Sequence, residues 1–376
     1  MNSPLEICIL DPFHTGSHAA WSKGAKKALE GGGHRVTMHT LPGRHWKWRM
    51  HGAAATWMQS LRHQPPPDVV VTTDMCDVAQ LRGTMPSSWR DVKVATMFHE
   101  NQLTFPWSPD DPDSTNGRDN TYAFINITTA LASDQVWFNS AHHRDVFLDA
   151  CESWMSRMPK PHVANLRASI EPKCHVLHLG MDLNRWELHK SEQTDSSRTT
   201  PVVLWNHRWA WDKGTDAFLQ FVHGILDRDL PCQFVVLGQS FEKVPAGWMD
   251  MRENMGSRCL QWGHVESRED YINWLWRADI APIHPNQEYF GLSVVEAMRC
   301  GVVPWLPSEH AYPETMPRHH TFMPSTSWLE GIEKQRWKQW DLSPERYIEN
   351  ALRFDWSNQS RVLLDAVAAL SKGRLG

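Results

Sequence analysis

Short apolar runs, each ending in a turn and most followed by a helical stretch, recur in two series along this chain. That recurrence limits the fold more than any other feature. In the first series, residues 6–10, 35–39, 68–72, 92–98, 135–139 and 175–179 read as strands, with helices over about 17–31 and up to about 133. Strands alternating with helices in this way imply an α/β, doubly wound parallel sheet. Ligands of such sheets lie beyond the carboxyl ends of the strands. Residues 191–200 then turn polar, as a linker does. A second series follows, with strands at 201–205, 232–237, 259–262, 279–282 and 302–304 and helices near 214–228 and 267–277. At 376 residues the chain is too long for one ordinary core. The expected domains are therefore 1–190 and 201–344, two Rossmann-like units facing a cleft. Residues 345–376 are helical and are expected to cross back onto the first unit.

Composition removes several classes. No apolar run approaches the ~20 residues that a membrane helix needs. The amino-terminal residues lack the basic start and apolar stretch of a secretory signal. Seven cysteines without a C-x-x-C pattern argue against a disulfide framework or zinc knuckle and for a reducing cytoplasm. His142–His143 and His319–His320 lack further ligands at metal spacing, so they read as ordinary surface or turn histidines. The 21 tryptophans are expected mostly in the cores. Charge is uneven: residues 1–62 hold eight of the 38 Lys/Arg but only three of the 43 Asp/Glu. Such a basic region is either a solvated helix surface or a face for an anionic partner.

Four segments carry candidate chemistry. In 286–304, Glu288 and Glu296 flank Phe290, Gly291 and Leu292. A loop there is expected to turn through Gly291 into a helix whose free N–H groups favour an anion. Glu288 lies before that helix, and Glu296 is expected a little over two turns in, within its first half. After the strand at 201–205, Arg208 and Lys213 precede a helix. They suit a diphosphate, the Arg as a fork and the Lys as a point charge, or are two exposed loop cations. In 11–18, Gly16 and Ser17 can bring backbone N–H groups to a phosphate, or form a structural turn. No G-x-G-x-x-G is present, which weakens a nicotinamide-cofactor reading. His99, at the end of the strand at 92–98, either donates a hydrogen bond to a sugar hydroxyl or is a satisfied structural histidine. Finally, Arg44, Trp46, Lys47, Trp48 and Arg49 interleave cations with indoles, as an RNA-contacting segment or an amphipathic core edge would.

These residues resemble known families. Glu288 through Glu296, with Arg208 and Lys213, are similar to the donor site of retaining GT-B glycosyltransferases of family 4. The strings Gly16-Ser17-His18, Leu41-Pro42-x-Arg44-x-Trp46-x-Trp48-Arg49 and Phe98-His99-Glu100-Asn101-Gln102-Leu103 resemble the tRNA-queuosine alpha-mannosyltransferase family. So do Phe138-Asn139-Ser140, Pro172-Lys173-Cys174, His207-Arg208-Trp209, Asp212-Lys213, Trp262-Gly263 and Tyr312-Pro313-Glu314. The resemblance implies transfer of mannose from GDP-mannose to the cyclopentenediol of queuosine in the tRNA-Asp anticodon. It implies an acceptor domain first and a donor domain second.

By that likeness Glu296 holds the donor ribose, Glu288 the sugar hydroxyls, and Arg208 and Lys213 the diphosphate, with His99 near the transferred sugar. Gly16, Ser17, Trp262, Gly263, Phe290, Gly291 and Leu292 fall on the donor side. His18, Arg44, Trp46, Trp48, Arg49, Glu100, Asn101 and Gln102 fall on the acceptor or tRNA side. With two cations over the diphosphate and no D-x-D motif, neither a cofactor nor a metal is expected. No membrane partner is expected either. The acidic loop at 107–120 is individual to this chain. Two other readings stand beside this one: the same fold acting on a lipid or polysaccharide acceptor, and a non-catalytic protein binding tRNA or a sugar nucleotide.

Overall fold

The structure, a computed structural model, describes residues 3–108, 111, 113, 120–190, 199–238, 244–339 and 342–372. The chain forms two compact units, Met1–Asp182 with Trp356–Gly376, and Leu183–Asp355.

The first unit is built on strands β1 (Glu6–His14), β2 (Arg35–Pro42), β3 (Val69–Thr73), β4 (Lys93–Phe98), β5 (Gln135–Phe138) and β6 (Cys174–Val176). All are parallel, in the order β2-β1-β3-β4-β5-β6. The inner strands are apolar where helices cover both faces of the parallel sheet: Ile7, Cys8, Ile9, Leu10 and Val69–Val71 are buried. After β2 the chain crosses to the other side of β1, so β1 and β3 flank a switch point, where such sheets bind ligands. The strand β1 runs to His14 rather than ending at residue 10. Its polar end stays extended because it continues to pair with β2 through Asp11 and Thr40, then His14 and Pro42.

The second unit holds β7 (Val202–Trp205), β8 (Gln233–Leu237), β9 (Cys259–Gly263), β10 (Ile280–Pro282) and β11 (Val303–Trp305). These strands are parallel in the order β11-β10-β7-β8-β9, with the switch point between β7 and β10.

The division falls earlier than expected at the first crossing, after Asp182, and later at the second, after Asp355. Buried Asp355 accepts hydrogen bonds from the backbone N–H groups of Leu183 (2.9 Å) and Asn184 (3.1 Å) and from Asn184 Nδ2 (2.7 Å). That carboxylate ties the entry of the second unit to its exit. The Pro344–Leu352 helix packs on the Leu292–Arg299 helix, within the second unit. Only the Trp356–Lys372 helix returns to the first, where it packs on the Gly16–Gly31 helix. Gly24 makes that possible: a Cβ there would lie 2.1 Å from Trp356 Nε1. Of the expected linker, residues 191–198 lie outside the described ones.

Two histidine expectations are corrected. His143 is fully buried on its helix, its Nδ1 2.8 Å from Asn139 Oδ1. His320 is buried with Nδ1 2.9 Å from the Tyr347 hydroxyl. Each lies on an inward face that a single pair of residues does not announce. The seven cysteines are unbridged. No group of His, Cys, Asp or Glu among the described residues could hold a metal ion, and no helix among them is long and apolar enough to cross a membrane.

Candidate functional site

In the second unit the switch point brings together two segments that lie about eighty residues apart in sequence. From the end of β7 come Asn206, His207 and Arg208, then a single turn at Trp211–Lys213. Gly214 follows at φ +74°, and a Cβ there would lie 1.9 Å from the carbonyl oxygen of His284. Only glycine lets the β7 turn approach the segment after β10 so closely.

That approach sets Lys213 Nζ 3.1 Å from Glu288 Oε2 and 3.3 Å from Asp212 Oδ2. Asp212 also accepts from Arg208 Nη2 at 3.0 Å. Burial pulls the Lys213 ammonium down, but Glu288 and Asp212 outweigh it and hold its pKa above the ordinary value. Burial pushes Glu288 up, and Lys213 and His207 more than reverse this, so it sits below the usual carboxylate range. The pair is ionised. Arg208 is the more open cation, its side chain 45% exposed against 15% for Lys213.

Glu288 precedes the Leu292–Arg299 helix, as expected, and its Oε1 accepts from the Gly291 N–H at 3.0 Å. The anion at this helix start is thus partly the protein's own carboxylate. Phe290 is buried beside it. Glu296 differs from the sequence reading. The helix begins at Leu292, so Glu296 stands one turn in and belongs to its second half. The turn count fails because residues up to Gly291 are still loop.

Glu296 receives the Tyr271 hydroxyl at 2.6 Å and Arg268 Nη2 at 2.7 Å. Asn206 Nδ2 donates to the Tyr271 oxygen (3.2 Å) and to the Ser293 carbonyl (2.8 Å). His207 Nδ1 lies 2.8 Å from Ser293 Oγ. Asn206, His207, Tyr271 and Arg268 therefore link the two glutamates' surroundings, and sequence reasoning assigned a role to none of them. Asn206 and His207 are adjacent residues after a strand with no spacing pattern to mark them, and Arg268 and Tyr271, at the start of a helix preceding β10, meet Glu296 only through the fold. Trp262, half-buried at the end of β9, stands in an indole cluster with Trp209 (5.1 Å) and Trp248 (5.8 Å). Gly263 follows with φ +94°.

In the first unit, Gly16 and Ser17 are exposed in the first turn of the Gly16–Gly31 helix. His18 is buried, and its ring lies 4.3 Å from that of His99. His18 Nδ1 and both ring nitrogens of His99 have no hydrogen-bond partner. Burial drives the His18 pKa to about 4 against a smaller opposing pull from Asp11. Burial, then His18 and His143, hold His99 well below its ordinary value. Both rings are neutral near pH 7. The His99 N–H donates to Asp74 Oδ1 at 2.8 Å, and burial, then Glu100, push that buried acid well above the carboxylate range.

Asn101 is fully buried, and its Oδ1 accepts from the N–H groups of Leu103 and Thr104. Its amide shapes the loop. The Gln102 N–H donates to Asn126 Oδ1 at 2.7 Å, and Gln102 Nε2 donates to Glu100 Oε1 at 3.0 Å.

The Trp46–Leu61 helix splits the cation–indole segment. Trp46 turns inward against Tyr122, 5.0 Å between centroids. Lys47 is bound at 2.6 Å by each of Asp111 and Asp113, from the individual loop at 107–120, of which 109, 110, 112 and 114–119 lie outside the described residues. Arg49 Nε donates to the Pro42 carbonyl, and Arg44 is exposed. Trp48 is 62% exposed.

Residues 6–181 match the family model described as tRNA-queuosine alpha-mannosyltransferase N-terminal. A tRNA-queuosine alpha-mannosyltransferase of Drosophila melanogaster is 28% identical over 326 residues, 85% of this chain and 84% of its own. Among solved structures, sucrose-phosphate synthase from Thermosynechococcus elongatus is similar with a TM-score of 0.71 at 14% identity, covering 98% of this chain and 100% of that one. Anabaena HepE in complex with UDP is similar at 0.64 and 15%, covering 97% and 100%. The two parallel α/β sheets and these likenesses show a GT-B fold.

Proposed function

Because the chain belongs to the tRNA-queuosine alpha-mannosyltransferase family, we propose that it moves mannose from GDP-mannose to the cyclopentenediol of queuosine in tRNA, tRNA-Asp in particular, with retention of anomeric configuration. Glycosyl transfer as such follows from the family; donor, acceptor and stereochemistry are the proposal. The observation that carries it is the largely buried, ionised Lys213–Glu288 pair, with Arg208 and Asp212 beside it, at the switch point of the second unit.

In this reading Arg208 and Lys213 hold the diphosphate. The bond from the mannosyl C1 to the phosphate oxygen breaks, and its electron pair leaves on the diphosphate, where the two cations stabilise it. A queuosine hydroxyl oxygen bonds to C1 on the face the diphosphate vacates. Its proton passes to a phosphate oxygen, giving GDP and mannosyl-queuosine. Glu288, already oriented by Lys213 and the Gly291 N–H, meets the sugar hydroxyls. Glu296, fixed by Tyr271 and Arg268, meets the donor ribose. Phe290, Gly291 and Leu292 frame the diphosphate, and Trp262–Gly263 lie on the base side. Positioning and electrostatics supply the catalysis, with no covalent sugar–enzyme intermediate and no requirement for a metal.

His99 donates to the transferred sugar, and Gly16 and Ser17 contribute backbone N–H groups to the donor. His18, Arg44, Trp48 and Arg49 serve the tRNA, with Trp48 offering the open aromatic face. Trp46 packs inward against Tyr122 beside that segment, and Asn101 and Gln102 hold the loop after β4 for the acceptor.

The test is incubation with queuosine-containing bulk tRNA and a panel of sugar nucleotides, followed by nucleoside mass spectrometry. One added hexose on queuosine with GDP-mannose is expected. Queuosine of unchanged mass with every donor overturns the proposal.

A further inference from the structure

The donor-side residues include a buried group that the reaction above leaves unused. His207 is 4% exposed, and its Nε2 is buried with no hydrogen-bond partner. A buried polar atom left unpaired is costly, so such groups are normally satisfied by protein, water or ligand. The imidazole is also held firmly. Its Nδ1 lies 2.8 Å from Ser293 Oγ, in the first turn of the Leu292–Arg299 helix. Its carbonyl accepts from Trp205 Nε1 at 2.9 Å, and a Cβ on Gly238 would lie 2.1 Å from that same oxygen. A ring fixed at both its backbone and one nitrogen, with the other nitrogen idle, is pre-organised for a ligand rather than for packing.

The surroundings say what ligand. Arg208, Lys213, Asp212 and Glu288 all act electrostatically on this ring, and burial with Lys213 keeps it uncharged at neutral pH, its pKa about 4. A third cation in so crowded a cluster would be costly. An uncharged N–H donor adds a hydrogen bond without adding charge. Phosphate oxygens only accept, so Nε2 must carry the ring proton, and the Ser293 hydroxyl then donates to Nδ1.

We propose that His207, oriented by Ser293, is a third diphosphate-binding residue beside Arg208 and Lys213, donating from Nε2 to a phosphate oxygen of the donor. The inference rests on the donor reading given above.

The experiment is calorimetric titration of GDP into the full chain and into His207→Leu, His207→Gln and Ser293→Ala. One charge-assisted hydrogen bond predicts about tenfold weaker binding in His207→Leu. His207→Gln, whose amide can still donate, is expected within about threefold of the parent, and Ser293→Ala between the two. Unchanged affinity in His207→Leu overturns the assignment. So does a His207→Gln as weak as His207→Leu, because the ring then only packs. If His207→Leu does not fold, Ser293→Ala decides, and parental affinity there is the overturning result. UDP or ADP binding in place of GDP, with the same ranking of variants, defeats guanine as the base and supports His207. A parent that binds no nucleoside diphosphate defeats both readings.

Discussion

The two units present opposite kinds of polar surface at equivalent places in their sheets. At the β7/β10 switch point, charges are already matched: Lys213 with Glu288 and Asp212, Arg208 with Asp212, and Glu296 with Arg268 and Tyr271. Near the β1/β3 switch point most groups are uncharged: two imidazoles in tilted contact, three of whose ring nitrogens are idle, and an aspartic acid whose burial favours its proton, with Asp11 already held by His14 and Ser22. A charged, paired site suits a charged ligand, since the pairs hold cations in place until phosphates arrive. Neutral donors and acceptors suit hydroxyls, which a fixed charge would bind no better than water does. The contrast is what a nucleotide-sugar donor and a hydroxyl-bearing acceptor or sugar would select.

The largest effect should come from the charged site. Lys213→Ala is expected to lower turnover at saturating donor by about 10²–10³-fold. It should also destabilise the chain by about 3 kcal/mol, because Glu288 is left buried without its partner. Single-turnover rates and denaturant titration check both, and an undiminished rate breaks the donor half of the comparison. His99→Ala comes next, with transfer slowed about tenfold while GDP affinity holds. A parallel loss of GDP affinity would show that the neutral site is not separate from the charged one.

Trp48→Ala should raise the acceptor KM about fivefold or more, the loss of one stacking face. Its thermal midpoint should stay put, since the indole is 62% exposed. Trp46→Ala should do the reverse, costing about 2 kcal/mol of stability through lost packing against Tyr122.

Acid acts on stability rather than on binding. His18 and His207 are each held near pKa 4, against about 6.5 unfolded. Between those values the unfolded chain binds more protons, so both contributions are whole above about pH 6.5 and are lost as pH falls toward 4. Asp74 has the opposite sign: its raised pKa favours the folded state in acid, and that contribution is lost as pH rises. Thermal midpoints measured from pH 7 to 4 should fall, and His18→Leu should flatten the slope. An unchanged slope in that variant removes His18 from the account.

Sheets were legible because parallel strands covered on both faces carry continuous apolar runs, as 69–71 and 202–205 do. Strand ends were not, since β1 keeps pairing through polar Asp11 and His14. Arg208, Lys213, Glu288 and Glu296 could be picked out from their places after strands and around a helix start. Their partners could not, because Asn206, Tyr271 and Arg268 find Glu296 or one another only across strand crossovers. Nor could local sequence show that Asp111 and Asp113 capture Lys47, more than sixty residues away, or that Asn101 folds its own loop.

The central claim is that the paired charges of the second unit grip an activated sugar, and equilibrium titration of GDP-mannose into the parent, Lys213→Ala and Trp48→Ala tests it most directly. The account predicts saturable binding by the parent, at least about tenfold weaker binding by Lys213→Ala, and no change in Trp48→Ala. No measurable affinity in the parent, or Lys213→Ala binding as the parent does, would contradict it.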